Sequence, residues 1–183
     1  MSQQFIERLS KLDRGARARL RRNLQQDSPY PNREAMRYVE DFVQQVENPV
    51  SWERRAYYLV AGFYALRYPD PLDSPTEGVS FAEAAAQVVR LRNRQQEIDS
   101  SKESSLERRF FHLLEAERDE LPYHLRQWIG LMKAAGVQVD FAKLLSDIIY
   151  WNECTKDTWA RAFYRALRSS LQITEISTEE VPR

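Results

Sequence analysis

Apolar residues recur along this chain at helical spacing in one segment after another, and almost nowhere in the alternation of a strand. Phe5, Ile6 and Leu9 lie on one side of a short amphipathic segment, residues 3–10. Ala16, Leu20 and Leu24 recur every four residues and line one narrow stripe behind Asp13, whose side chain suits an N-cap. That helix fades by Gln26. Asp27-Ser28-Pro29-Tyr30-Pro31 then reads as a loop, because two prolines so close together cannot continue a helix. Residues 33–47 repeat Met36, Val39, Phe42, Val43 and Val46 at helical spacing, and Asn48-Pro49 ends the repeat. Ser51 caps the next helix, which runs to about Tyr68. Its middle, Ala56 to Leu66, is apolar or aromatic in every direction, which predicts a helix surrounded by others but too short to span a bilayer. Gly62 within it lets a neighbouring backbone come close.

The second half continues the pattern. Pro69 to Gly78 is the longest loop. Ser80 with Glu83 forms a capping box and starts a helix that turns Ala84, Ala85, Val88 and Leu91 inward and Arg90, Arg92 and Arg94 outward. Asp99 to Ser105 is a polar break. Ser104 with Glu107 is a second capping box, opening a helix whose core face is Leu106, Phe110, Leu113 and Leu114 and whose outer face carries Arg108 and Arg109. A helix from Leu121 packs Leu125, Trp128, Ile129 and Met132 inward, and Gly136 stops it as a C′ residue. Val137-Gln138-Val139 has no partner strand and reads as an extended linker. Asp140 caps Phe141–Tyr150, and a last helix, Thr155–Arg168, presents Trp159, Phe163 and Leu167 on one face. The sum is an all-α fold of about eight or nine helices in two packed bundles, with no sheet. The organisation expected is an N-terminal helical domain over residues 1–70, a C-terminal helical domain over 71–168, and a flexible acidic tail over 169–183.

Composition changes this picture in two ways. The formal net charge is zero, so any grip on an anionic polymer must come from charge separated in space. Charge is indeed segregated: five arginines (Arg14, Arg17, Arg19, Arg21 and Arg22) fall in nine residues, fanned over the surface that the apolar stripe leaves, opposed locally only by Asp13. Glu115 to Glu120 and Glu175 to Glu180 are acid-rich. Guanidinium groups are planar, permanently charged donors suited to phosphate, although a solvated amphipathic helix looks the same. Cys154 is the single cysteine, which forbids an intrachain disulfide and fits a reducing compartment. No apolar run approaches the roughly 20 residues of a membrane span, and the N-terminus lacks a signal-peptide core. The expectation is a cytoplasmic protein with no membrane partner.

Catalytic chemistry finds little support. His112 and His124 are the only histidines; Cys154 could meet one of them in space, but it sits near a helix start with no local motif. His112, among aromatic and leucine neighbours, reads as a packed histidine. There is no Cys-x-x-Cys, no His-x-x-x-His and no glycine-rich phosphate loop, so no metal or cofactor is expected. What remains is arginine: besides the first cluster, Arg54-Arg55, Arg90, Arg92, Arg94, Arg108-Arg109, Arg126, Arg161 and Arg165. If several face one way they form a track for a phosphate backbone, indifferent to base sequence and sensitive to salt. A helical adaptor that binds acidic protein partners would use the same residues.

The order of the segments narrows the reading. LDRGARARLRR, SWERRAYYLVAGFYAL, GVSFAEAAAQVV, SSLERRFFHLLEAERDELPYHLRQWIGLMKAAGVQVDFAKLLSDIIYW and TWARAFYRAL, in that order over residues 5 to 168, resemble the CasB family, the small subunit of the type I-E CRISPR interference complex Cascade. The resemblance implies an all-helical, two-domain protein without enzymatic activity. Its implied partners are the other Cascade subunits, the guide RNA, displaced single-stranded DNA, and a second copy of itself placed head to tail. A basic groove would grip the DNA and stabilise the R-loop. The family's basic positions fall on Arg21 and Arg22, on Arg54 or Arg55, on Arg108 and Arg109, on Arg126, and on Lys143. Arg14, Arg17 and Arg19 are local additions to the motif. Glu83 stands where relatives often carry basic residues, and the chain after Ser170 lies outside the resemblance. Because Cys154 belongs to none of these motifs, Cys154→Ala is expected to leave both stability and function unchanged, checked by thermal melting and by any binding assay that the parent protein supports.

Overall fold

Nine α-helices follow one another among the residues that the computed structural model describes, which are 1–25, 31–44, 46, 48, 50–73, 78–96 and 104–169. They are α1 (Ser2–Ser10), α2 (Arg14–Arg22), α3 (Arg33–Val39), α4 (Trp52–Arg67), α5 (Phe81–Gln96), α6 (Ser105–Glu115), α7 (Leu121–Ala134), α8 (Phe141–Ile149) and α9 (Glu153–Arg168). Most ends are set by local chemistry that the sequence announces. Asp13 Oδ1 accepts from the Ala16 amide at 2.7 Å, Ser51 Oγ from the Arg54 amide at 3.2 Å, and Asp140 Oδ1 from the Lys143 amide at 2.9 Å. Both capping boxes form, Ser80 with Glu83 and Ser104 with Glu107. Gly136 takes φ +70°, with its own amide on Lys133 O and the Val137 amide on Met132 O, the two bonds of a Schellman stop.

The core is organised on α4. Twelve of its sixteen residues are buried, because α1, α2, α3, α7 and α8 pack around it. Gly62 in its middle meets the end of α2: a Cβ there would stand 3.2 Å from Leu20 O and 2.7 Å from Cγ of Leu24, in the 3-10 turn Asn23–Gln25 that follows α2, so the glycine lets the two segments approach. A second group, α5, α6, α7 and α9, packs round stacked aromatic pairs, Phe110 on Phe163 at 3.9 Å and Phe81 on Trp159 at 4.7 Å. Because α7 and α8 both touch α4, one buried cluster runs through both bundles.

Six expectations change. The segment read as one helix over 33–47 is α3 followed by a 3-10 turn, Glu40–Phe42; the turn sets Glu40 against Arg54 and Tyr58 of α4, and that contact outweighs the helical periodicity. Val139 does find a partner, a single parallel bridge to Val79 secured by the Asp140 amide on Val79 O at 2.8 Å, although no sheet forms among the described residues. The last helix starts two residues early because Asn152, not a later residue, accepts from the Thr155 amide. Ala84, Ala85 and Val88 are buried as expected, but Leu91 is 40% exposed while Val89 is fully buried, so the last inward position of α5 is Val89. His112 is exposed rather than packed, because Leu113 and Leu114 take the core side of α6. The fan of five arginines is broken by Arg17, which turns inward. The loop residues 26–30, Pro49, residues 74–77 of the longest loop, the polar stretch 97–103 and the tail 170–183 lie outside the described residues.

Arg17 is fully buried. Its guanidinium donates to Leu12 O at 3.0 Å, Ser10 O at 2.7 Å, Tyr68 O at 2.8 Å and Asp70 O at 2.9 Å, and lies 5.5 Å from the Tyr64 ring centre. Arg17→Ala would leave these carbonyls without a donor, and each charge-assisted bond lost carries its desolvation penalty. The expected loss of stability is more than about 3 kcal/mol, read as a lower denaturation midpoint in urea. Arg17→Lys is expected to recover only part of it, because an ammonium cannot span carbonyls held by a planar fork.

Candidate nucleic-acid interface

The C-terminal end of α2 gathers cations from three elements. Arg21 is half-buried and Arg22 exposed. Arg22 pairs with Glu34 of α3, and Arg19 Nη1 donates to the Tyr38 hydroxyl of α3 at 3.0 Å. From α7, Arg126 Nη1 reaches Leu24 O at 3.2 Å, which sets its guanidinium within a few residues of Arg21 and Arg22. Cations here also face the negative end of the α2 dipole, which stabilises them without a carboxylate. Glu34 is the acidic residue paired in this group. The hydrogen bond from Arg22 holds its carboxyl below the ordinary range, with Arg19 and Arg37 adding to the effect. Arg37 of α3 therefore stands near this group as well, and Arg33, also exposed, lies four residues before it on the same helix. Neither belongs to the set expected from the sequence. Their four-residue spacing is the signal that the sequence carries, masked there by the apolar stripe of the same segment.

The remaining expected positions separate. Arg54 is buried, with Nη2 2.9 Å from Glu40 Oε2 and its guanidinium carbon 5.1 Å from the Tyr58 ring centre. Tyr58 donates its hydroxyl to the same carboxylate, and burial first, then that bond, pushes its pKa up. Arg54 thus holds the 3-10 turn to α4. Arg55 pairs with Asp119 at 3.0 Å and lies 5.8 Å from the ring centre of Trp52, which Arg118 also approaches. It precedes Gly62 by seven residues, about 10 Å along the helix axis from the Leu24 contact. Lys143 bonds Asp147 at 3.0 Å, and the same carboxylate accepts from the Trp159 indole. Arg108 and Arg109 are exposed on α6. Among the described residues, Arg21, Arg108, Arg109 and Arg126 enter no ion pair, whereas Arg22, Arg54, Arg55 and Lys143 do. The structure joins Arg21, Arg22 and Arg126 at one end of α2 and leaves Arg54 and Lys143 in separate packed contacts.

No group of three or more metal-ligating side chains forms among the described residues, and none of their helices is long and apolar enough to cross a membrane. Cys154 is exposed near the start of α9. His124 is held below its usual pKa by burial, with His112 adding to this and Glu120 opposing it.

Residues 16–164 match the family model described as CRISPR-associated protein Cse2. A CRISPR-associated protein Cse2 of Thermus thermophilus is 35% identical over 158 residues, 82% of this chain and 79% of that protein. A crystal structure of CasB from M. ruber superposes with a TM-score of 0.75 at 31% identity, covering 94% of this chain and 97% of the other. A chain of a CRISPR RNA-guided surveillance complex shares the fold at 22% identity, with a TM-score of 0.72 over 94% of this chain and 96% of its own.

The Arg54 pair offers a direct check on which cations serve structure. Glu40→Ala would strand a buried guanidinium without its carboxylate and remove the acceptor of Tyr58. The expected cost is about 3 kcal/mol, measured as a shift in the urea midpoint with little change in slope.

Proposed function

The chain belongs to the CRISPR-associated Cse2 family, also called CasB, and from that premise we propose that it grips displaced single-stranded DNA in Cascade and so stabilises the R-loop. Family membership makes it a non-catalytic subunit of that complex. The observation that carries the finer reading is the gathering of Arg21, Arg22 and Arg126 at one end of α2, with Arg19 and Arg37 acting on the same Glu34 carboxylate. Arg108 and Arg109, exposed on α6, extend the set.

The physics suits the task. Guide pairing supplies sequence specificity, so the subunit need only hold backbone, and guanidinium contacts to phosphate do this without reading bases. R-loop formation exchanges one duplex for another of similar stability, so a few contacts tip it. Each charge-assisted bond contributes about 1.5–3 kcal/mol, much of it offset by desolvation. A chain of zero net charge achieves this only with a local cluster, which also predicts weak binding outside the assembly. The partners on this reading are the other Cascade subunits and the guide RNA, and a second copy of the chain seated head to tail, in the cytoplasm. Two domains divided near residue 70 would let the copies stack end on end.

Charge reversal tests the reading. Arg21→Glu with Arg22→Glu is expected to keep the helical signal and the fold, with a small drop in melting temperature from the lost Glu34 pair and the reversed charge at the end of α2. It should shorten R-loop lifetime in reconstituted Cascade, and lower the salt slope of oligonucleotide binding by about 1.4, two contacts at roughly 0.7 each. Unchanged R-loop lifetime would sink the assignment. Loss of binding to an acidic protein partner, with oligonucleotide affinity intact, would favour the adaptor instead.

A further inference from the structure

Away from the basic surfaces, a cavity of about 460 Å³ opens where α1, α4 and the start of α8 meet. Glu7 and Ser10 of α1 line it, with Tyr64 of α4 and with Asp140, Phe141 and Ala142 of α8. Gly78 lines it too, and a Cβ there would stand 2.4 Å from the Val139 carbonyl carbon, so that wall is bare backbone.

Three donors on these walls have no partner among the described residues. The first is the hydroxyl of Tyr64, a residue only 1% exposed, its ring centre 5.1 Å from that of Tyr68 and 5.3 Å from that of Phe141. Tyr58 and Tyr68 of the same segment give their hydroxyls to Glu40 and Gln138. A buried phenol ordinarily finds such an acceptor, but the Tyr64 hydroxyl has only the cavity that it lines. The other two donors are the amides of Phe141 and Ala142, the first two of the nine-residue α8, where the helix dipole adds positive potential. The cap on this helix does not serve them, because Asp140 Oδ1 accepts from the Lys143 amide at 2.9 Å.

Two acceptors stand on the same walls. Glu7 gives one carboxylate oxygen to Lys11 at 2.6 Å and keeps the other unbonded, as Asp140 keeps its Oδ2. A phosphate would fill the donors but would be repelled by both carboxylates. A simple cation would pair with the carboxylates and leave the buried hydroxyl unsatisfied. Both sets are met by one molecule that carries a carboxylate and cationic groups together.

We propose that this cavity binds a small zwitterion of the basic amino-acid class. Its carboxylate lies on the Tyr64 hydroxyl and the α8 amides, and its cationic groups lie on Glu7 and Asp140. The volume suits a small ligand, and Ile6, beside Glu7 on the same wall, offers apolar surface for a methylene stem. An occupant braces α1 against α8. The site shares no residue with the arginine cluster at α2, so it stands apart from the nucleic-acid reading.

The test is amide NMR of the full chain titrated with L-arginine and with agmatine, which has the same guanidinium stem but no carboxylate. L-Arginine is expected to shift the Phe141, Ala142 and Gly78 amides along one saturable curve and to raise the melting temperature with concentration. Agmatine is expected to bind about tenfold more weakly. Tyr64→Phe removes the hydroxyl alone and is expected to weaken L-arginine about tenfold. Glu7→Gln and Asp140→Asn should each weaken it about threefold, and asparagine preserves the cap. Circular dichroism checks that each variant keeps its helix content. No saturable shift of these amides by L-arginine would overturn the site. So would equal binding of agmatine, an unchanged curve in Tyr64→Phe, or tighter binding of inorganic phosphate at the same amides.

Discussion

The most consequential contact in this fold is a buried cation that gathers backbone carbonyls. The Arg17 guanidinium collects the backbone carbonyls of Ser10 and Leu12, where α1 gives way to α2, and those of Tyr68 and Asp70, just past the end of α4. These are places where the chain leaves a helix and its carbonyls lose their partners. A planar group with five donors satisfies several at once, and its weak hydration makes the burial tolerable. The result ties the start of α2 to the end of the central helix. The direction in which Arg21 and Arg22 point follows from that tie, together with the Leu24 contact at Gly62.

The basic residues therefore fall into populations that look alike in the chain and differ in the fold. Arg17 and Arg54 are internal fasteners. Arg55 and Lys143 are half-occupied by Asp119 and Asp147. Arg21, Arg108, Arg109 and Arg126 stand outside any ion pair among the described residues. Burial converts the first population into structure because a desolvated charge needs its donors filled, while the last remains available because water already solvates it.

This difference explains what could be read beforehand. Helix starts at Asp13, Ser51, Ser80, Ser104 and Asp140 were legible, because a cap is made by residues three apart. The stop at Gly136 was legible for the same reason, and so were the core faces of α6 and α7, whose stripes are long and regular. The fate of Arg17 was not, because two of the acceptors that draw it inward, Tyr68 O and Asp70 O, lie more than fifty residues away. Glu40 broke an otherwise helical repeat through a partner in α4, and Leu91 and His112, each at the edge of a buried face, turned out to solvent. At the interface, Arg21, Arg22 and Arg126 could be named from their motifs, whereas the approach of Arg126 to Leu24 and the arrival of Arg37 depend on how whole helices pack.

The bond from Arg126 to Leu24 O has a mechanical meaning. It joins a helix of the second bundle to the end of a helix in the first, across the seam between them. The cluster of guanidiniums is thus assembled from both sides of a joint, and its spacing is a gauge of how that joint is closed. A strand lying across it would act as a cross-brace, adding its own attachment points to those of the protein. Ligand and seam would then stiffen one another, so the grip on the polymer and the rigidity of the subunit would rise together.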